Sequence, residues 1–340
     1  MDQIKRIAID TSKSVFALHA VDHSERCVLR RKLTRDKLLG FFAALPPVQV
    51  VMEACGASHH WARQLIKLGH TVRLIPPQYV KPFVKRSKND DADAEAINEA
   101  ASRPSMRYVP VKSAEQQAEA MALGLRDLAV RQRSQLVNAL RGLAGEFGIV
   151  VAKGTQNIKK LLETIATDET VPARARHDLA QLGARIGACD AEIAALDRQL
   201  MAQHKANAMS RLLEGIPGIG PITALNLVLR TDAKQFKSAR DFAAWLGLTP
   251  KDHSSGGKQR LGAITRAGDE RLRQLLVVGA TAVVAATRPG KAGASAWVLK
   301  LLERKPRKLV AVALANKMAR IAWAMMTSGE IYRKSRPVAA

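Results

Sequence analysis

The sequence has few residues that could form a disulfide framework or a zinc site. Only three cysteines occur in 340 residues, Cys27, Cys55 and Cys189. They are odd in number and far apart, whereas a disulfide scaffold needs pairs and a zinc module needs short, regular spacings. The pattern fits neither class and favours a cytoplasmic protein with free thiols.

The sequence also lacks an uninterrupted apolar run of membrane-spanning length. Its longest apolar stretches, 275–287 and 309–326, are broken by Gly, Asn, Lys and Arg, whereas a membrane helix needs about 20 consecutive apolar residues. Met1 leads into a polar-flanked strand pattern with no apolar leader or cleavage site. We therefore expect two buried helices, no signal peptide and no membrane partner.

Acidic side chains are in the minority. Thirty Asp and Glu stand against 54 Lys and Arg, which gives a net charge of +24. So large a charge points to a polyanionic partner, and duplex DNA offers one negative charge per about 1.7 Å. The basic residues are dispersed along the chain rather than placed beside an apolar span, which favours nucleic acid over a membrane surface.

The first third of the chain alternates short β-branched runs with helical patterns. The predicted elements are strands 5–10, 15–21, 26–33, 48–53 and 71–75, and helices 35–44 and 58–68. Three strands on short turns, followed by alternating helices and strands, predict a mixed sheet with helices on its faces. Ribonuclease-H-like folds begin in this way.

The remainder reads as helical. After a helix at 90–101, two long amphipathic patterns at 113–147 and 172–213 predict an antiparallel helical pair or coiled coil. The fold class is therefore α/β plus all-α. Its predicted domains are a catalytic domain at 1–112, a helical linker or dimerisation segment at 113–213 and a C-terminal domain at 214–340.

The C-terminal domain opens with IPGIGPITALNLVL. A turn holding Gly218 and Gly220 before a helix resembles a helix-hairpin-helix module, whose backbone N–H groups meet phosphates. A tight interhelical turn that uses glycine for its backbone freedom explains the same letters. Further helices are predicted at 239–246 and 269–287, with a Gly-rich loop between them and a basic helical tail from 294 to 333.

Four carboxylates form the first chemical constellation. Asp10 and Glu53 each end a β-branched run, in IAIDTSK and VVMEACG, and Asp90 and Asp93 lie i,i+3 on one helical face in KNDDADA. Two-metal phosphoryl transfer needs such converging carboxylates, whose oxygens suit Mg²⁺ or Mn²⁺. Taken singly, each could be a turn or helix N-terminal residue. Asp91, about 100° away round the helix, is left outside the site.

The loop KDHSSGGKQR forms the second constellation. Ser255 lies beside Gly256 and Gly257, with Lys258 and Arg260 immediately after. Glycines let a phosphate approach the backbone closely, and the hydroxyl could attack it. Ser and Gly also commonly compose flexible surface linkers, and the loop chemistry by itself favours that interpretation over a nucleophile.

Seven segments together resemble the DEDD transposases of the insertion-sequence one-ten family, nearest its eleven-eleven subgroup. They are IDTSK, MEACG, KNDDADA, IPGIGPITA, GLTP, SSGGKQRLGAITRAGDERLRQLL and KLVAVALANKMARIAWAMM. The resemblance implies a RuvC-like N-terminal domain joined through a coiled coil to a C-terminal transposase domain. It places the family's metal ligands at Asp10, Glu53, Asp90 and Asp93. It places the nucleophilic serine at Ser255, with Ser254 as the adjacent alternative.

The resemblance further implies a recombinase that cuts DNA by serine attack, forms a 5′-phosphoserine link and uses magnesium. It implies guidance by a noncoding RNA that pairs with donor and target DNA. It also implies dimers and tetramers in which the acids and the serine come from different protomers. The protein is expected in the cytoplasm, and on the nucleoid when it acts. The residues expected to contact nucleic acid are Gly218, Gly220, Lys258, Arg260, Arg266, Arg271 and Arg273.

Two other functions fit part of the sequence. A metal-dependent junction endonuclease would use the four acids and water, with Ser255 only structural. A non-catalytic nucleic-acid-binding protein would combine a helix-hairpin-helix with a decayed nuclease fold, although the presence of all four carboxylates argues against decay.

Overall fold

The computed structural model describes residues 4–84, 90–254, 256–258, 260–288 and 295–333, and the side chain of Asp90 lies outside that part. The chain divides into two compact units, an N-terminal unit at 1–117 and a C-terminal unit at 118–340. Each unit has apolar core clusters of its own.

The N-terminal unit is built on a five-stranded mixed sheet. Its strands are β1 (Arg6–Asp10), β2 (Val15–Val21), β3 (Cys27–Thr34), β4 (Gln49–Glu53) and β5 (Thr71–Ile75). They lie in the order β3-β2-β1-β4-β5. β2 is antiparallel to β1 and β3, whereas β1, β4 and β5 are parallel. The mixed sheet predicted from the sequence is confirmed, with strand ends within one residue.

Helices cover both faces of this sheet. They are α1 (Leu38–Ala43), α2 (Ser58–Lys67), α3 (Pro77–Val80) and α4 (Asp90–Ser102). Successive side chains of a strand point to opposite faces, so Ile7 and Ile9 of β1 enter one core with α1 and α2. Ala8, between them, enters a second core with α4. Of the segment between α3 and α4, residues 85–89 lie outside the described part.

The C-terminal unit is mostly helical. Its elements are α5 (Ala114–Gly145, beginning in the N-terminal unit), α6 (Ile158–Thr167), α7 (Ala173–Ala206), α8 (Ala208–Glu214), α9 (Pro221–Arg230), α10 (Ala239–Trp245), β6 (Pro250–Asp252), β7 (Leu261–Ile264), α11 (Glu270–Ala286), α12 (Ala296–Leu302) and α13 (Arg307–Ser328).

Two ion pairs show that α5 and α7 run antiparallel. Arg126 pairs with Asp197, and Arg133 pairs with Asp190. Seven residues forward on one helix match seven residues back on the other. The antiparallel pair predicted from the sequence is therefore present, whereas its supercoiling as a coiled coil stays a prediction.

The sequence pattern merged elements that the structure separates. The stretch 172–213 is two helices, because Asn207 leaves helical geometry and its side chain accepts a hydrogen bond from the Ser210 N–H, which caps α8. The basic tail is also two helices, and Pro306 precedes α13. The Gly-rich loop contains the β6–β7 hairpin. Helix α6 was not anticipated.

Helix α13 forms part of the core of the C-terminal unit. Ala315, Met318, Ala319 and Ala322 on it are buried within that core. It is the one helix of the described part that is long and apolar enough to cross a membrane, and 44% of the qualifying window is buried inside the protein.

Candidate active site

Asp10 and Glu53 lie side by side because β1 and β4 are parallel neighbours. Ile9 is in register with Met52, so the next residue of each strand is a carboxylate at the same edge of the sheet. Neighbouring strands are about 4.8 Å apart. Both carboxylates lie two residues beyond a side chain packed against α4, Ala8 or Val51, and therefore share the α4 face.

Asp93 reaches the same edge from α4. Ile97 and Ala100, four and seven residues further along α4, are buried against the sheet, so Asp93 lies on the sheet-facing side of the helix. Burial raises the pKa of the Glu53 carboxyl above its ordinary value, and the negative charges of Asp10 and Asp93 raise it further. Three of the four predicted ligands therefore act electrostatically on one another.

Asp91 faces elsewhere. It pairs with Lys32 of β3, 3.6 Å away, and Glu95, one turn later on α4, pairs with Arg30 of the same strand at 3.0 Å. These two contacts place the side of α4 that carries Asp91 and Glu95 toward β3. Asp93 lies on a different side of the helix, which faces the sheet edge. This geometry agrees with leaving Asp91 outside the site.

The three described carboxylates fit a divalent cation by their chemistry. All are oxygen donors, which Mg²⁺ and Mn²⁺ prefer, and a cation would relieve the repulsion that raises the pKa of Glu53. Within the described side chains, no three of His, Cys, Asp or Glu are arranged to hold an ion. The fourth predicted ligand, Asp90, falls outside that set.

The predicted nucleophile, Ser255, lies outside the described residues, as does Gln259, whereas the hairpin around them is described. Ser254 helps to close this hairpin: its N–H donates to the Asp252 carboxylate at 2.9 Å, and its hydroxyl donates to the same oxygen. The Ser254 Oγ also accepts the Arg260 N–H at 3.0 Å. Hydrogen bonds from Ser254 lower the pKa of Asp252. Ser254 is therefore already engaged in structure, which disfavours it as the alternative nucleophile.

The base of the hairpin is held by close backbone packing. Gly268 has a φ of +71°, and a Cβ built there would lie 1.7 Å from the Trp245 carbonyl oxygen. Asp269 caps α11 by accepting the Leu272 N–H at 2.9 Å, and it pairs with Arg230 at 3.2 Å. Arg230 and Asp269 were not singled out from the sequence, where only the helix N-terminal position of Asp269 could have indicated a cap.

The predicted nucleic-acid ligands fall into two groups. Lys258, Arg260 and Arg266 are exposed. Arg271 instead pairs with the buried Asp127 of α5, and Arg273 donates to the carbonyls of residues 246 and 267 at 3.0 and 2.7 Å. These last two guanidinium groups already have partners within the C-terminal unit, and their contact with nucleic acid stays a prediction.

The IPGIGP turn lies between α8 and α9. Gly218 has a φ of +90°, and a Cβ placed on Gly279 of α11 would lie 1.9 Å from the Gly218 oxygen. Close packing against α11 thus accounts for Gly218. Gly220 is exposed, with open space where a Cβ would point. The phosphate-binding role of this turn stays a prediction.

Known proteins give a consistent answer over the whole chain. Residues 7–147 match the DEDD transposase model of the IS110 group, and residues 210–294 match the model described as transposase IS116/IS110/IS902 family. A Sinorhizobium fredii protein named as a transposase, y4pF/y4sB, is 56% identical over 98% of this chain and 87% of its own length. The transposase for insertion sequence element IS1111A of Coxiella burnetii is 39% identical over 98% of this chain and 92% of its own. The transposase for IS1328 of Yersinia enterocolitica is 38% identical over 98% and 100%. The chain therefore belongs to the IS116/IS110/IS902 family of transposases, enzymes that cut and transfer DNA.

Proposed function

We propose that this transposase is an RNA-guided recombinase with a composite active site, in which the sheet-edge carboxylates and Ser255 act on one scissile phosphate. The observation that supports the proposal is the placement of Asp10 and Glu53 side by side at one sheet edge. Burial raises the pKa of Glu53, and the charges of Asp10 and Asp93 raise it further. Carboxylates held close together repel one another and destabilise the folded protein unless a bound cation or substrate offsets their charge.

In the proposed cleavage step, the Ser255 Oγ attacks the phosphate and forms an O–P bond, and the bond from phosphorus to the 3′ oxygen breaks. The serine proton leaves to a base, and the 3′ oxygen departs and is protonated as a free hydroxyl. The products are a 5′-phosphoserine and a 3′-hydroxyl. Asp10, Glu53, Asp90 and Asp93 would hold Mg²⁺ or Mn²⁺, which supplies charge stabilisation at the phosphate. Attack by the 3′-hydroxyl on a phosphoserine reverses these bonds and transfers the strand.

Both units carry the charge needed to hold DNA and a guide RNA. Residues 1–117 contain 19 Lys and Arg against 12 Asp and Glu, and residues 118–340 contain 35 against 18. Because this excess is shared by both units, a nucleic acid is expected to contact each of them. Such contacts go mainly to phosphates, and sequence choice is left to base pairing.

An exposed apolar stripe on α5 supports a homo-oligomer. Met121, Leu125 and Leu128 follow at i, i+4 and i+7, with 61, 44 and 43% of their surfaces accessible. Residues at these spacings share one helix face. Covering the stripe with a second copy would bring two protomers together along their long helices.

The test is to trap protein-linked DNA and compare two neighbouring serines. Ser255→Ala is expected to abolish the 5′-linked species and strand transfer. Ser254→Ala, the matched control, is expected to retain linkage at reduced yield, because it loosens the hairpin without removing the nucleophile. Continued cleavage by Ser255→Ala without linked DNA would support the junction-endonuclease alternative instead.

Guidance is tested separately by sequencing the RNA that copurifies with the protein. The expected result is one structured noncoding species with segments matching the element ends and the insertion site. Recovery of random cellular RNA alone would contradict guidance and leave the chemical proposal standing.

A further inference from the structure

Helix α4 carries two of the candidate metal ligands but packs on the sheet largely through small side chains. Its residues in this core are Ile97 and the alanines Ala96, Ala100 and Ala101. They meet a surface that includes Ala8 and Val51. Complementary packing of larger side chains is what usually fixes one arrangement. Methyl groups interlock weakly, so the alanines add little to what Ile97 and the two ion pairs with β3 do to fix α4 along its own axis.

A buried polar cluster also joins α4 to the sheet. Asn98 of α4 is only 2% exposed. Its amide oxygen accepts the Arg6 Nε–H at 2.5 Å, and its amide nitrogen donates to the His19 carbonyl at 2.8 Å and lies 3.0 Å from His19 Nδ1. Arg6 donates in addition to the Asn98 carbonyl at 3.3 Å. Because a guanidinium can only donate, this contact fixes which way the amide points.

The charge of Arg6 in this cluster is balanced by Glu25, so its burial is tolerated. Arg6, 3% exposed, pairs with Glu25, which also binds Lys5 at 2.5 Å. Buried polar groups cost free energy unless they are satisfied, and those described here have partners. In some proteins, buried polar networks of this type help to fix one register of the elements that they join.

The geometry connects this cluster to the carboxylates. Arg6, Ala8 and Asp10 share one face of β1, and Asp10 lies about 13 Å along the strand from Arg6. Asn98 follows Asp93 by five residues, about 7.5 Å along α4. A slip of α4 by one residue would turn Asp93 by about 100° and shift it by about 1.5 Å. A link between β1 and α4 would therefore add to the ion pairs with β3 in keeping Asp93 toward Glu53.

We propose that Asn98 is a positioning residue for the metal site, and that its hydrogen bonds to Arg6 and His19 hold α4 in the register that aims Asp93 at Glu53 and Asp10. The inference rests on the proposed function of these carboxylates. It assigns no contact between Asn98 and metal or DNA.

The test removes the hydrogen bonds between Arg6 and Asn98 without leaving a buried charge behind. The double variant Arg6→Met/Asn98→Leu replaces guanidinium and amide together with apolar groups of similar size, an exchange that can be nearly neutral for folding. Mn²⁺ affinity is measured by calorimetry, and DNA cleavage is measured as a function of Mg²⁺. We expect Mn²⁺ affinity to fall by about 10-fold or more, as outer-sphere changes do, and cleavage to recover at high Mg²⁺. Unchanged Mn²⁺ affinity would overturn the proposal.

Two further variants separate positioning from general loosening. Asn98→Asp keeps an acceptor for Arg6 and is expected to retain an intermediate Mn²⁺ affinity. His70→Leu is the matched control, because His70 is buried in the same unit and bonds to the Val48 N–H and the Phe42 carbonyl. It is expected to lower the melting temperature and leave Mn²⁺ affinity unchanged. An equal loss of affinity in His70→Leu would also overturn the proposal.

The Asp10→Asn variant distinguishes failure of the proposed metal site from failure of the proposed role of Asn98. If Asp10→Asn binds Mn²⁺ as well as the parent, the carboxylates are not a metal site and the proposed function fails. If Asp10→Asn loses Mn²⁺ and the double variant does not, only the role of Asn98 fails.

Discussion

The surroundings of the charged side chains differ between the sheet edge of the N-terminal unit and the β6–β7 hairpin of the C-terminal unit. At the sheet edge, burial and the charges of Asp10 and Asp93 raise the pKa of Glu53. Around the hairpin, Arg271 has Asp127 as its partner, Arg230 has Asp269, and hydrogen bonds from Ser254 lower the pKa of Asp252. The raised pKa of Glu53 is what a candidate metal site would be expected to show, whereas these charged groups around the hairpin are compensated by partners within the C-terminal unit.

The largest expected effect comes from two aspartates only two residues apart. Asp93→Asn removes a ligand, and we expect cleavage to fall on the order of 100-fold or more. Asp91→Asn weakens the partly exposed pair with Lys32 on β3, and cleavage should stay within about threefold. Rates of cleavage of a cognate DNA at fixed Mg²⁺ check both. Equal losses would mean that the stripe of α4 facing β3 also belongs to the site.

The placement of the carboxylates at the sheet edge was largely predictable from the sequence. Asp10 and Glu53 followed from strand order and register, because parallel neighbouring strands end at one edge of the sheet. The i,i+3 spacing favoured Asp93 over Asp91, and the pairing of Asp91 with Lys32 on β3 agrees with that choice, which stays a prediction. These features depend on local periodicity and short connections, which the amino-acid pattern records directly.

Long-range pairing was not predictable in the same way. Nothing in the local pattern connects Arg271 with Asp127, 144 residues earlier, or Asn98 with Arg6, 92 residues earlier. The break at Asn207 was missed because the apolar periodicity continues from α7 into α8, and only the cap separates them. The catalytic roles of Ser255 and of the four carboxylates, Asp10, Glu53, Asp90 and Asp93, all stay predictions.

The second effect concerns stability around the hairpin. Asp127 is 8% exposed, and removal of one partner from a buried pair leaves an uncompensated charge. Arg271→Ala should therefore lower the free energy of unfolding by about 2–3 kcal/mol, measured by denaturant titration of the metal-free protein. A variant that keeps its stability but loses DNA affinity would instead support Arg271 as a nucleic-acid ligand and weaken the view of this region as scaffold.

A third, smaller effect should come from cations that have no acidic partner among the described contacts. Arg304, Lys305, Arg307 and Lys308 are exposed at the α12–α13 turn, beside the single acid Glu303. Replacing the four with Gln should weaken DNA binding about 10-fold and reduce the slope of log affinity against log salt by about 2 to 4.

The control for this change is a second set of four exposed cations in the same unit, Lys153, Lys159, Lys160 and Arg174. Their replacement with Gln alters net charge equally, and we expect a smaller change of slope. Salt titrations of both variants against the same duplex compare them. Equal slopes would show that binding depends on total charge and not on this turn.

The smallest expected effect tests the repulsion itself. Because the folded-state pKa of Glu53 is raised, the folded protein favours the neutral carboxyl; this contribution is complete below about pH 4 and is lost as pH rises through the folded pKa. Glu53→Gln should therefore raise the melting temperature of the metal-free protein near neutral pH by about 1–3 °C, since solvent screening keeps the effect to a few tenths of a kcal/mol. The gain should disappear in acid, and Mg²⁺ should reverse the order, because binding stabilises the parent more than the variant. A Glu53→Gln protein that is less stable than the parent near neutral pH without metal would show that the sheet edge is compensated like the hairpin, and the distinction between the two regions would not hold.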